Sequence, residues 1–322
     1  MPDPTSEGRS IRCTSVTHKQ TPSLAELSSK DKPWDKHRAN ADTVANMYKG
    51  SKFNDYARRM TTCSELLDFK LAPDAAEGAY KLKLSNARFC RVRHCPVCQW
   101  RRSLMWKAKA FKVIPKVVQE YPTYRWLFLT LTVKNCPVNE LKETLKKINK
   151  GFKRLTELKR WPGVGWIKST EVTKGKNGPM QAHPHLHVLL MVKPAFFSRD
   201  YINQNQWSNL WQQCLRLEYQ PMVHVRAIRR GNDPAVMVPE ILKYALKESD
   251  LVRDRQWLIE VTNQLHRTRA VATGGVLKEY LKALEEEPKD LIGNESDEVS
   301  VDEGHIYFGW KKIEKKYRMV DG

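Results

Sequence analysis

An α+β domain built around a mostly antiparallel sheet is the fold class this sequence predicts, and three observations predict it. Short β-rich runs occupy 126–133 (WLFLTLTV), 166–173 and 185–192, the last two joined by a turn at 174–178 that carries lysines and glycines. Helical spacing recurs beside them, at Leu141, Leu145, Ile148, Phe152 and Leu155. No repeat runs through the chain, so a stacked-repeat architecture is excluded.

Taken in order, residues 1–45 are rich in Ser, Thr, Lys, Pro and Asp without sustained periodicity, and they read as a disordered arm. Residues 46–120 form a second unit: a helix near 47–59, a strictly alternating strand at 80–84 (YKLKL), a cysteine cluster, and a helix over 99–120. That helix is decorated by Arg101, Arg102, Lys107, Lys109, Lys112 and Lys116, and Pro115 is expected to bend it. The core unit, 121–284, holds a buried central strand at 126–133, the helix from Leu141, the strand pair, helices at 203–217 and 239–248, and a strand at 222–228. Between Glu285 and Glu303 lie nine acidic residues and one lysine, so 285–304 reads as a flexible acidic insert. In the tail, 305–322, Tyr307, Phe308, Trp310 and Tyr317 return to the core as a strand.

The 322 residues include 56 Lys+Arg against 36 Asp+Glu, a formal net charge of +20, which favours a polyanionic partner; nucleic acid is the commonest. A merely well-solvated basic surface is the plain alternative. No apolar run approaches the ~18 residues that span a bilayer, and the first dozen residues lack the apolar core of a secretion signal. The expectation is a cytoplasmic protein, with no membrane partner, whose seven cysteines are reduced.

The sharpest local signal is HPHLHVLL at 183–190. Alternate residues of a strand share a face, so His185 and His187 point the same way while Leu186 and Val188 face the core. Two imidazoles on one face suit a divalent cation, and Glu171 on the preceding strand supplies a carboxylate across the hairpin. Two nitrogens and one oxygen leave positions open for water and a phosphate. His183 has the same parity but ranks lower, because Pro184 disturbs the strand. An exposed histidine pair, or a zinc site without chemistry, is the plain alternative.

Among eleven tyrosines, Tyr244 has unusual company in PEILKYALK at 239–247. Glu240 lies four residues before it, on one helical face. A phenol with a pKa near ~10 needs help to attack phosphorus; Lys243 and Lys247 are placed to stabilise charge, and Glu240 to orient or deprotonate the phenol or a water. Taken alone, an ordinary amphipathic helix explains the same pattern. Cys90, Cys95 and Cys98 form a C-P-x-C knuckle with a third thiol, a zinc pattern rather than a disulfide one. Zinc prefers four ligands, and Cys63 is the first choice for the fourth, with His94 second. Arg101 and Arg102 directly after the knuckle are candidate phosphate contacts. Cys13, Cys136 and Cys214 receive no role.

Together these segments resemble one family, the single-tyrosine HUH initiators of rolling-circle plasmid replication. The motifs occur in that family's order: CPVCQWRR (95–102), WLFLTLTVKN (126–135), TEVT (170–173), HLHV (185–188) and EILKY (240–244), followed by LHRTR (265–269) and GGVLKE (274–279). The resemblance spans roughly 50–320. It implies a five-stranded antiparallel sheet of HUH topology flanked by helices, with an N-terminal zinc-binding segment. It also implies Mg2+ or Mn2+ held by His185, His187 and Glu171, with structural Zn2+ on the cysteines. Tyr244 is then the nucleophile that leaves a 5′-phosphotyrosine and a free 3′-OH primer, and Glu240 activates the water that ends a round. The implied partners are plasmid origin DNA (the single-stranded nick site and adjacent duplex), a host helicase and a single-strand-binding protein. The lysine-rich helix from Leu141 and the zinc segment are candidates for duplex contacts. An HUH transposase or mobilisation relaxase would use the same chemistry on another substrate, and a non-catalytic zinc-containing DNA-binding protein is the rival from a different class.

Overall fold

Two antiparallel sheets organise the chain. The computed structural model describes residues 21–74, 79–229, 234, 246–282, 291 and 304–321. Helices α1 (Leu24–Leu27), α2 (Pro33–Tyr48) and α3 (Asn54–Thr61) lead into the hairpin β1 (Leu66–Asp74) and β2 (Ala79–Ala87), and then into the long α4 (Pro96–Glu120). Next come β3 (Arg125–Thr132), the two-residue β4 (Cys136–Pro137), α5 (Leu141–Thr156), β5 (Gly163–Lys174), β6 (Gln181–Val192), α6 (Gln204–Leu215) and β7 (Val223–Ala227). The chain closes with α7 (Glu248–Leu251), α8 (Arg255–Gln264), β8 (Val271–Gly275), α9 (Leu277–Tyr280), β9 (His305–Lys311) and β10 (Lys316–Val320).

The larger sheet runs β7-β3-β6-β5-β8, with β4 added on β6, and every neighbouring pair is antiparallel. Its strands bury both faces, which is why 126–133 reads as a continuous apolar run. Leu127, Leu129, Leu131, Leu186, Val188 and Leu190 face a core shared with α5, α6 and α8. Trp126, Phe128, Ile167, Leu189 and Met191 face α4 and α9 through Ala110, Ile114, Val117 and Leu277. Burying each such side chain contributes roughly 1.5–3 kcal/mol. The α+β class and the antiparallel pairing agree with the expectation, but the strand count does not: β4 makes this a six-stranded sheet where five strands were expected.

A smaller four-stranded sheet, β10-β9-β1-β2, takes in the strands expected at 80–84 and in the tail, but their assembly with β1 into a sheet was not expected. Its β1–β9 pairing joins opposite ends of the chain, and no local pattern encodes such a partner. The single strand expected in the tail is a local hairpin, β9 with β10, turned between Lys311 and Lys316.

The N-terminal reading also needs correction. Residues 1–20 lie outside the described residues, but the expected disordered arm includes α1 and α2. Trp34, Ala41, Val44, Ala45 and Tyr48 are buried in the main core, a stripe hidden in sequence by the charged residues between them. Glu248 ties α2 to the second half of the chain, accepting hydrogen bonds from Asn40 (2.7 Å) and His37 Nδ1 (2.8 Å). Helix α4 runs unbroken through Pro115, and β6 runs unbroken through Pro184. The acidic stretch falls almost wholly outside the described residues.

Candidate functional site

The β5–β6 pairing sets the first cluster. Glu171 lies directly opposite His185, and Ser169 opposite His187, so strand alternation brings all three functional side chains to one face. Glu171 Oε2 lies 3.1 Å from His185 Nε2 and 2.9 Å from His187 Nε2. All three residues are buried. On the next strand, Thr130 pairs with His187, its Oγ1 lying 3.2 Å from His187 Nδ1, and Phe128 stacks on the same imidazole at 5.6 Å.

The tautomer of His185 tests whether a cation fits. Its Nδ1 lies 3.3 Å from the carbonyl oxygen of His183, which only accepts, so Nδ1 carries the proton. In a neutral ring the Nε2 lone pair then points at a carboxylate oxygen. Either a second proton or a cation between them removes that clash. With bonds of ~2.1 Å and a right angle, two ligands of one octahedral ion stand about 3.0 Å apart, matching both contacts. Burial works against ionisation of Glu171, but the hydrogen bonds from both imidazoles outweigh it and hold the carboxyl well below the usual carboxylate range. His183 stands outside this triad; burial and the neighbouring His185 push its pKa down.

The second cluster gathers Cys63, Cys90, Cys95 and Cys98, all buried. Cys63 follows α3, Cys95 caps α4 and Cys98 stands in its first turn. Sulfur–sulfur distances are 3.7 Å for Cys63–Cys98, 3.5 Å for Cys90–Cys98 and 3.8 Å for Cys63–Cys95. A zinc tetrahedron with bonds of ~2.3 Å has edges of about 3.8 Å, so the four thiols fit the ion. His94 is not part of this cluster. Its Nδ1 lies 3.1 Å from Thr262 Oγ1 and 3.5 Å from the Tyr48 hydroxyl, and burial, aided by Arg93 and Arg102, holds it well below the usual imidazole range.

The remaining expected site residues divide. Glu240, Lys243 and Tyr244 lie outside the described residues. Lys247 is described, exposed, and precedes α7. Leu246, two residues after Tyr244 in sequence, bridges in parallel to Val172, the neighbour of Glu171. Arg102 does not face outward as expected of a DNA contact. It is 7% exposed, and its guanidinium donates to the carbonyls of Arg91 (3.1 Å) and Arg93 (3.5 Å). Arg101 donates to the Leu291 carbonyl at 2.8 Å and lies over Trp34 and Trp100. Thr130 and Phe128, which brace His187, escape sequence reasoning because they become visible only once β3 is paired with β6.

The fold and the two clusters define a class first: a basic α+β protein with a two-imidazole, one-carboxylate cation site and a four-thiol site. A family model described as replication protein matches residues 81–318. The chain is 35% identical to the Protein rep of Lentilactobacillus hilgardii, covering 85% of this chain and 90% of that one. It is 32% identical to the Protein rep of Streptococcus pneumoniae serotype 2 (strain D39 / NCTC 7466), covering 89% and 92%. For the Protein rep of Bacillus amyloliquefaciens the identity is 31%, covering 90% and 94%. This chain belongs to the replication protein family. No solved structure matches it. Among the described residues no helix is long and apolar enough to cross a membrane.

Proposed function

We propose that this protein initiates rolling-circle replication of a plasmid by nicking one strand of the origin, as a divalent-metal-dependent HUH endonuclease and strand transferase. The observation that carries the reading is the convergence of Glu171, His185 and His187 on one point of an antiparallel sheet, in a chain of the replication protein family. Mg2+ or Mn2+ bound there supplies a Lewis acid that polarises the scissile phosphate. His185 and His187 present Nε2, with the opposite ring nitrogens turned to His183 and Thr130, and that outer contact fixes each ring. Thiolate-bound Zn2+ at Cys63, Cys90, Cys95 and Cys98 has a structural role.

The Tyr244 oxygen gives its proton to a base, for which Glu240 is the candidate, and attacks the phosphorus as the bond to the 3′ oxygen breaks. The tyrosine is left esterified to the 5′ phosphate, and the departing 3′ oxygen takes a proton to become the primer hydroxyl. Lys243 and Lys247 stabilise charge, and Glu240 activates the water that hydrolyses the ester at termination. The origin strand and adjacent duplex are the substrate; a host helicase and a single-strand-binding protein would act on the strands released, and the site of action is the cytoplasm. The test is cleavage of single-stranded origin DNA with Mn2+ by the wild type and by Tyr244→Phe. A metal-dependent, denaturation-resistant protein–DNA adduct that vanishes in the variant supports the reading. Tight binding to the origin with no cleavage in any metal overturns it in favour of a binding module.

A further inference from the structure

The reverse face of the larger sheet carries a second charged feature. Because residues alternate along β5, Lys168 and Thr170 face away from Ser169 and Glu171. They open into a cleft of about 420 Å³ between α5 and the segment that leads into β8. Seven of its sixteen lining residues are Lys or Arg and none is Asp or Glu. One wall is a row on α5, Lys142, Lys146 and Lys150, each about 6 Å further along the helix axis. Lys146 also pairs with Glu143, at 2.6 Å on the exposed side of the helix.

The opposite wall is a built turn. Arg93 donates to the carbonyls of Leu265 (2.8 Å) and Thr268 (2.7 Å), and Thr170 N–H donates to Ala270 O at 2.8 Å. Arg267, exposed at the tip, holds a left-handed φ of 54°. The floor is Lys168. The residue is 8% exposed, and its ammonium donates to Asn149 Oδ1 at 2.5 Å and lies 4.9 Å from the Phe152 ring. Among the described residues no carboxylate pairs with it. Burial alone pushes its pKa down, to about 8. A buried cation without a counter-ion is unfavourable unless an anion is supplied from outside, and a row of cations at regular steps suits a chain of phosphates better than a single ion.

We propose that this cleft is a second DNA site, which binds the phosphodiester backbone of the strand flanking the nick on the face opposite the metal centre. The proposal rests on the nucleic-acid reading of the protein but not on the cleavage reading. It assigns Lys146, Lys150, Lys168 and Arg267 to successive backbone phosphates, with Lys168 reaching the most deeply held one.

The experiment is DNA binding by the full chain, followed by fluorescence anisotropy without added Mg2+ or Mn2+, so that binding is read apart from cleavage. The wild type is compared with the surface triple variant Lys146→Gln, Lys150→Gln, Arg267→Gln and with Lys168→Met, over salt from about 50 to 200 mM. Three lost phosphate contacts lower the slope of log affinity against log salt by about 2 on single strands, and affinity at the low-salt end falls at least about tenfold. Lys168→Met lowers the slope by about 0.7 on the same basis. Slopes that change by less than about 0.3, with affinities within about twofold of the wild type, for both variants overturn the proposal. A further arm adds inorganic phosphate alone: stabilisation that is lost in Lys168→Met, with DNA binding unchanged in the triple variant, assigns the cleft to free phosphate and also overturns it. Adduct formation on a short oligonucleotide covering only the nick is measured in parallel. If the wild type forms none, the cleavage reading fails while the binding comparison still decides the cleft.

Discussion

Replacing Lys168 with methionine separates what the buried ammonium does for folding from what it does for a ligand. Lys168 stands in mid-strand, 8% exposed as a residue, and burial moves its pKa from 10.5 to about 8. That difference is a penalty of roughly 3 kcal/mol on the charged form in the folded protein. Losing the hydrogen bond to Asn149 gives back about 1.5 kcal/mol, so Lys168→Met should be more stable than the wild type by about 1–2 kcal/mol at pH 7. The pH dependence carries a definite sign. Between about pH 8 and 10.5 the unfolded chain holds a proton that the folded chain has released, so this lysine makes the wild type gain stability as pH rises through that window. The variant lacks this gain of about 2.5–3 kcal/mol, so its advantage vanishes within the window and the wild type becomes the more stable by about 1 kcal/mol at its top. Nothing else facing the ammonium reverses the sign: Asn149 is neutral, Phe152 is a ring, and the titratable cleft neighbours Arg93, Lys142, Lys146, Lys150, Arg267 and Arg269 are all cationic. Urea unfolding followed by tryptophan fluorescence at pH 7 and pH 10 measures both quantities. A variant less stable than the wild type at pH 7, or a difference that does not change with pH, refutes the reasoning.

Three other perturbations follow from the geometry. Removing Zn2+ with a strong chelator, or making Cys98→Ser, should unfold the N-terminal half, because a structural zinc contributes about 10–16 kcal/mol against a total stability of about 5–15; zinc content and the fluorescence near Trp34 and Trp100 report it, and a chelated protein with unchanged fluorescence would count against the site. Glu171→Gln keeps the shape of the triad but removes its only negative charge, so metal-dependent adduct formation should fall by about two orders of magnitude with DNA affinity unchanged; calorimetric titration with Mn2+ should show the weakened binding directly. Gly275 has φ +60°, and a Cβ there would stand 2.1 Å from the Val164 carbonyl oxygen. Gly275→Ala should therefore cost about 2 kcal/mol or more, read as a lower urea midpoint.

Features set by short-range periodicity were legible in the sequence, and features set by distant pairing were not. The Glu171, His185 and His187 triad could be read because strand alternation and one hairpin fix all three, and the turn between 174 and 181 leaves Glu171 opposite His185. Cys63 could be named beside Cys90, Cys95 and Cys98, ahead of His94, because it adjoins the apolar run that leads into β1. Thr130 reaches His187 only through the β3–β6 register, and Lys168 becomes a buried cation only when α5 closes over β5. Helix α2 was hidden by its own surface: Trp34 and Tyr48 anchor it, but the residues between are mostly charged or small. The Lys- and Arg-rich turns read alike in sequence, although Arg93 pins a loop while Arg267 stands exposed at its tip.

Arg102 shows why position after a zinc knuckle is a poor guide to contact with DNA. Four thiolates around one dication leave a net charge of about −2 inside the core, which is costly unless donors or cations face it. Arg102 stands one helical turn beyond Cys98 on α4, a spacing that keeps both on one face. Its charge favours the thiolate at Cys98, whose pKa is lowered first by hydrogen bonds from Cys63, Cys90 and Cys95 and further by this guanidinium. The same guanidinium donates to the carbonyls of Arg91 and Arg93, which lie in the loop between Cys90 and Cys95. One side chain therefore offsets the cluster's charge and holds the loop that carries its ligands. The two candidate metal sites differ for the same electrostatic reason. Four thiolates would close the shell of a bound ion, braced by an internal cation, whereas one carboxylate with two neutral imidazoles would leave a bound dication partly uncompensated, the charge that the proposed cleavage would use.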